Sequence, residues 1–182
     1  MATTRLMTAA ELLTMPEDGW RYELLEGVLH RMSPGGFQHS VCGVRLAGHM
    51  MLFVDERHLG RVTGADGGYL FQRDPDTVLA PDGAFVRADR LPPEDEQTGY
   101  LDLVPDLVVE IVSPSDRPNE VAAKIAYYLE AGVPLAWVIY PRLKQVHVHT
   151  TGAAPVVLRE GDVPDGGEVL SGFQLPVAEI FP

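Results

Sequence analysis

Three residues far apart in the sequence offer chemistry together: Asp82, Glu110 and Lys124. Glu110 interrupts Leu107-Val108-Val109-Glu110-Ile111-Val112, an apolar run that reads as a strand buried on both faces. A carboxylate there is unfavourable unless a cation, a metal or several donors compensate it. Asp82, preceded by Pro81, lies in a second apolar stretch from Thr77 to Val86. Carboxylate oxygens suit Mg²⁺ or Mn²⁺, which usually keep several waters. Such an ion polarises a phosphoryl oxygen and lowers the pKa of a bound water. A lysine beside it stabilises developing charge or orients the attacking water. The trio therefore suits phosphodiester hydrolysis. A buried Glu–Lys pair is equally a plain ion pair, and spacing alone leaves both readings open.

Strand alternation sets which of these side chains can meet. Asp106, Val108, Glu110 and Val112 share one face, and Asp82, Ala84 and Val86 share a face of theirs. If the two strands are neighbours, Asp82 and Glu110 point into one space. From Glu110 the strand runs on at about 3.3 Å per residue, dropping roughly 10 Å by Ser113. After Pro114-Ser115-Asp116-Arg117-Pro118 a helix climbs back at about 1.5 Å per residue and regains roughly 9 Å by Lys124. Lys124 thus returns to the level of Glu110 if the helix packs antiparallel on that strand. Val121, Ile125, Tyr128 and Leu129 form the buried stripe, with Lys124 at its edge.

The surrounding elements follow from local signals. Thr8 and Glu11 form a capping box for a short helix over residues 8–15. Residues 21–32 read as two strands about a turn at Glu26-Gly27. Residues 38–58 read as a long, largely buried helix with Val41, Val44, Leu46, Met50, Leu52, Phe53 and Val54 inside. Residues 61–63 and 68–71 flank a hairpin-like turn, 77–86 is the next strand, and 89–104 is a polar surface loop. Strand 106–112, helix 118–131, and strands 135–140 and 145–150 complete a mixed α/β sheet.

Other polar residues have plainer readings. Glu26, a second acid near Glu23 but beside Gly27, reads as a turn residue ahead of a site role. For His39, which opens the long helix, a capping or packing role is read ahead of a contact with substrate. His147 and His149 share a strand face and, without a third ligand, read as a solvent-facing pair. Ser113 and Ser115 lack a His–Asp partner pattern and suit a helix cap. Trp137 belongs to the core. No glycine-rich dinucleotide or P-loop pattern occurs.

Bulk properties bound the answer. The 182 residues suit one domain spanning 1–182, and 46% hydrophobic with 22% charged residues is the composition of an ordinary globule. No apolar stretch approaches a membrane span, and residues 1–6 lack signal-peptide character, so a cytoplasmic protein with no membrane partner is expected. Cys42, the single cysteine, reads as a buried small hydrophobe. The formal charge of −12 gives no general pull toward a polyanion. A nucleic-acid partner then requires a local basic rim on an otherwise acidic surface.

Pro81-Asp82, Val109-Glu110-Ile111-Val112-Ser113-Pro114-Ser115, Lys124, Tyr128 and Ala136-Trp137-Val138-Ile139-Tyr140 resemble, in order and spacing, the Uma2 family of restriction endonuclease-like proteins. That family belongs to the PD-(D/E)xK nuclease superfamily. Arg21-Tyr22-Glu23-Leu24-Leu25-Glu26-Gly27 and His39 extend the likeness toward the N-terminus, and residues 170–181 toward the C-terminus. The resemblance implies a restriction-endonuclease-like mixed β-sheet flanked by helices and a Mg²⁺- or Mn²⁺-dependent nuclease. It implies Asp82 and Glu110 as metal ligands, Lys124 as the catalytic cation and Glu23 as an accessory acid. It also implies a nucleic-acid substrate, DNA ahead of RNA, and a homodimer. One departure matters: the superfamily lysine normally stands two residues after the second acid, where this chain has Val112. Lys124 resembles a migrated replacement. Two other classes compete: a binding or regulatory module that keeps the scaffold without cleaving, and a domain whose buried acids only specify the fold.

Overall fold

Pro81 has no N–H to give to a ladder, and the apolar stretch from Thr77 to Val86 breaks there into two strands of different sheets. This corrects the single strand expected over 77–86. A computed structural model of the chain describes residues 5–182; Met1 to Thr4, part of the stretch read for signal-peptide character, lie outside the described residues. In chain order the elements are α1 (Ala9–Leu13), β1 (Arg21–Leu25), β2 (Val28–Met32), α2 (Phe37–Glu56), β3 (Gly60–Gly64), β4 (Tyr69–Gln72), β5 (Thr77–Leu79) and β6 (Gly83–Arg87). Then follow β7 (Leu107–Ile111), α3 (Pro118–Glu130), β8 (Leu135–Tyr140), β9 (Gln145–Thr150), β10 (Val156–Leu158), β11 (Asp165–Gly166), β12 (Leu170–Gln174) and α4 (Val177–Ile180).

These elements divide into two units. The smaller takes the segments up to Pro34, Gly67–Ala80 and Pro92–Val104. Its four strands run in the order β2-β1-β5-β4, all antiparallel. The β1–β2 turn is made by Glu26 at φ 50° and Gly27 at φ 74°, the left-handed pair a tight hairpin needs. α1 carries the expected capping box between Thr8 and Glu11. Leu12, Leu24, Leu70 and Val78 form the core of this unit.

The larger unit takes Gly35–Asp66, Pro81–Leu91 and Pro105–Pro182. Its six-stranded sheet has the order β10-β9-β8-β7-β6-β3, antiparallel throughout except for the β7–β8 pair. The expected hairpin about residues 64–67 does not form: β3 pairs with β6 in this sheet, and β4 pairs with β5 in the other. Leu107, Val109, Ile111, Trp137, Ile139 and Val146 cover one face of the sheet. They pack with Cys42, Leu46, Met50 and Val54 of α2 and with the tail from Leu170 to Phe181. These four at intervals of four are the only fully buried residues of α2. Val44 and Leu52 face outward, correcting the largely buried helix that their hydrophobicity suggests. α3 lies on the opposite face, where its Lys124 and Tyr128 reach Glu110. The result is a mixed α/β sheet flanked by helices.

Candidate active site

Glu110 is the one polar residue of β7, between Val109 and Ile111, which are 2% and 3% exposed. Its side chain is itself only 14% exposed. Two donors from α3 compensate that burial. The Lys124 ammonium lies 3.0 Å from Glu110 Oε1, and the Tyr128 hydroxyl donates to the same oxygen at 2.7 Å. Lys124 and Tyr128 are four residues apart and so share a helix face. The strand-out, helix-back path thus returns the lysine to the level of the acid.

Asp82 stands one residue before β6, and β6 pairs antiparallel with β7 in the register Gly83↔Val109. One further step of that register sets Asp82 opposite Glu110. The Ile111 peptide N–H donates to Asp82 Oδ2 at 2.8 Å, so the aspartate is tied to the residue next to Glu110. His39 Nε2 lies 3.0 Å from the same oxygen, with both side chains largely buried. His39 thus has a specific acidic partner rather than a generic capping or packing role. Gly35 leaves it room: a Cβ there would stand 2.6 Å from His39 Nδ1.

Glu23 lies in the smaller unit, 5% exposed, and accepts the Ala80 N–H at 2.9 Å. Arg21 donates to the Ala80 carbonyl at 3.2 Å. Asp106 is also buried, but it accepts the Arg87 N–H at 2.9 Å and pairs with Arg90 at 2.7 Å, a local structural role. Ser113 and Ser115 do not cap α3: its N-cap is Arg117, with Pro118 at the first turn and no side-chain cap. His147 and His149 are partly buried rather than solvent-facing. Burial pushes both imidazoles below their ordinary pKa, aided at His147 by Arg159 and at His149 by His147.

Sequence reasoning underweighted two residues of this cluster. Tyr128 was legible in principle, because a tyrosine in a buried stripe usually finds a partner for its hydroxyl. His39 was marked only by the family likeness: its pairing with Asp82 spans 43 positions and follows from where α2 begins.

The donor set decides which metals the site suits. Among the described residues no group of three or more His, Cys, Asp and Glu side chains is arranged to hold an ion. A closed zinc centre, with four protein ligands, does not fit. Two carboxylates on neighbouring strands do fit a hard ion that keeps its waters and takes further oxygens from substrate phosphate. Asp82 and Glu110 would hold it.

A family model described as "Putative restriction endonuclease", Uma2, matches residues 9–178. The chain belongs to the Uma2 family. The crystal structure of an Anabaena variabilis protein described as a putative nuclease superposes with a TM-score of 0.83, covering 96% of this chain and 97% of that one at 23% identity. At that identity the likeness establishes the shared fold. No curated protein matches the chain. Glu110 and Lys124 meet although 14 positions separate them. No helix among the described residues is long and apolar enough to cross a membrane.

Proposed function

We propose that this Uma2 protein is a Mg²⁺- or Mn²⁺-dependent endonuclease that hydrolyses nucleic-acid phosphodiester bonds, the whole chain acting as one domain. The observation that carries this reading is the 3.0 Å approach of Lys124 to Glu110, with Asp82 bonded to the adjoining Ile111 N–H. Asp82 and Glu110 are the metal ligands, and the bound ion supplies Lewis-acid polarisation of a phosphoryl oxygen. Lys124 supplies a fixed positive charge and a hydrogen-bond donor for an attacking water or the charged phosphoryl oxygens. Tyr128 holds Glu110, and His39 with the Ile111 N–H holds Asp82, so both carboxylates are oriented before substrate arrives. Hydrolysis adds the water oxygen to phosphorus and breaks one ester P–O bond. Glu23 keeps its place as accessory acid on the family resemblance alone, as do DNA as the substrate, the homodimer and the cytoplasm.

Purified protein incubated with DNA and RNA panels, with and without Mg²⁺ or Mn²⁺, tests this reading on gels. Cleavage that needs the ion and disappears in Asp82→Ala and Lys124→Ala supports it. Absence of cleavage on every substrate with both ions sinks it. The rival, a non-cleaving binding module, draws on Glu110 Oε1 already holding both Lys124 and Tyr128. It predicts calorimetric Mn²⁺ binding and nucleic-acid binding without turnover.

A further inference from the structure

Three strand ends lie on one edge of the larger unit's sheet. β7 and β8 are parallel, and β10 runs the same way because β9 is antiparallel to both β8 and β10. The end of β7 carries Glu110 and Ile111. A cavity of about 540 Å³ opens beside the chain just past the other two ends, lined by Pro141 to Lys144 after β8 and by Arg159 to Gly161 after β10. Gln38, in the first turn of α2, lines it as well. The next residue, His39, holds Asp82. Consecutive residues of one helix therefore touch the cavity and the candidate active site. Ligands of open α/β sheets sit at this kind of edge, beyond the carboxyl ends of the strands.

The cavity wall is basic in a chain that is not. Arg142, Lys144 and Arg159 face a single acid, Glu160, against a chain total of −12. Lys144 is held by Glu160 at 2.8 Å. Arg142 and Arg159 are different. Of the 14 Lys and Arg side chains, they are the two that make no side-chain hydrogen bond, ion pair or aromatic contact among the described residues. The other cations hold carboxylates, main-chain carbonyls or a ring. Two unengaged guanidinium groups lining one cavity suit the phosphates of a nucleic-acid strand, whose oxygens accept bidentate hydrogen bonds. The first turn of α2, whose N-cap Gly36 makes no side-chain cap bond and which carries no acid, adds a favourable dipole on the same side.

We propose that this cavity is a phosphate-binding subsite in which Arg142 and Arg159 hold the backbone of the nucleic-acid strand beside the cleavage site. It supplies the local basic rim that an acidic nuclease needs, and it rests on the nuclease reading for the identity of its ligand. Both arginines are exposed, so their replacement leaves the fold intact.

The test compares the full-length chain with Arg142→Ala/Arg159→Ala. Binding of a fluorescent oligonucleotide is followed by anisotropy across a NaCl series in Ca²⁺, which takes similar oxygen ligands. The subsite predicts affinity about tenfold or more weaker in the variant and a salt slope shallower by about two, one for each lost phosphate contact. A neutral methylphosphonate oligonucleotide should bind both proteins alike. If wild type cleaves nucleic acid in Mg²⁺ yet the variant binds with unchanged affinity and slope, the subsite is wrong and the nuclease reading stands. If the variant loses binding but wild type never cleaves, the subsite stands and the nuclease reading falls. If wild type neither binds nor cleaves any oligonucleotide, both fall.

Discussion

At the scale of single residues, the most informative contrast is between buried acids that look alike in the sequence. Asp106 is sealed by Arg90 and a peptide N–H within its own corner of the fold, whereas Glu110 is met by a lysine and a tyrosine arriving from a separate helix. The Glu110–Lys124 pair is mostly buried, so removing Lys124 leaves the carboxylate with the Tyr128 hydroxyl but without its opposite charge. Lys124→Met should lower stability by about 1–3 kcal/mol in urea denaturation, and adding Glu110→Gln should restore most of the loss. Tyr128→Phe should cost about 1 kcal/mol, because the carboxylate keeps its lysine. If Lys124→Met alone proves neutral, the pair is better solvated than its geometry indicates. His39→Ala should weaken Mn²⁺ binding while leaving Glu110 and Lys124 in place, a difference that calorimetry reads directly.

Elements place those residues, and the constraints on them are mostly backbone constraints. β3 meets β6 so closely that a Cβ on Gly60, at φ 155°, would stand 1.9 Å from the Val86 carbonyl oxygen. Gly60→Ala should therefore destabilise the chain by about 3 kcal/mol, seen as a lower urea midpoint. The outward positions of α2 should tolerate change. Leu52, 62% exposed, should accept Leu52→Gln within about 0.5 kcal/mol. A large loss there would place Leu52 in an interface. The β7–α3–β8 unit was legible from its sequence because an apolar run, a proline-started helix and a second apolar run follow in order. In the smaller sheet the β1–β2 hairpin was legible too, but the place of β5 between β1 and β4 was not, since those pairings join segments far apart in the chain.

Over the whole molecule, charge separates what is general from what is local. The excess of acids does not oppose a nucleic-acid substrate if binding is concentrated at one basic edge, and the salt dependence of affinity will report how many phosphates that edge holds. Stability should also respond to mild acid. His147 and His149 have folded pKa values below the ordinary 6.5, so the unfolded chain binds more protons between the folded and unfolded values. Their contribution is complete above the unfolded pKa and is lost as pH falls through it toward the folded values. The urea midpoint should drop between about pH 7.5 and pH 5.5, and His147→Gln/His149→Gln should flatten that dependence. An unchanged slope in the double variant would assign the effect to other groups. Sedimentation at micromolar concentration tests the homodimer against a chain mass of 19.9 kDa.

The sequence by itself determined the strand that carries Glu110, the helix that carries Lys124 and, through ordered motifs, membership of a nuclease-like family. Those are local patterns, and a run of Val, Ile and Leu or a four-residue stripe needs no distant partner to be recognised. Tertiary structure alone decided that His39 meets Asp82, that Pro81 divides two sheets, and that Arg142 and Arg159 open onto one cavity. Each of these depends on how distant segments are brought together in the fold. Strand order is fixed by burial of the whole core rather than by any segment's own preference.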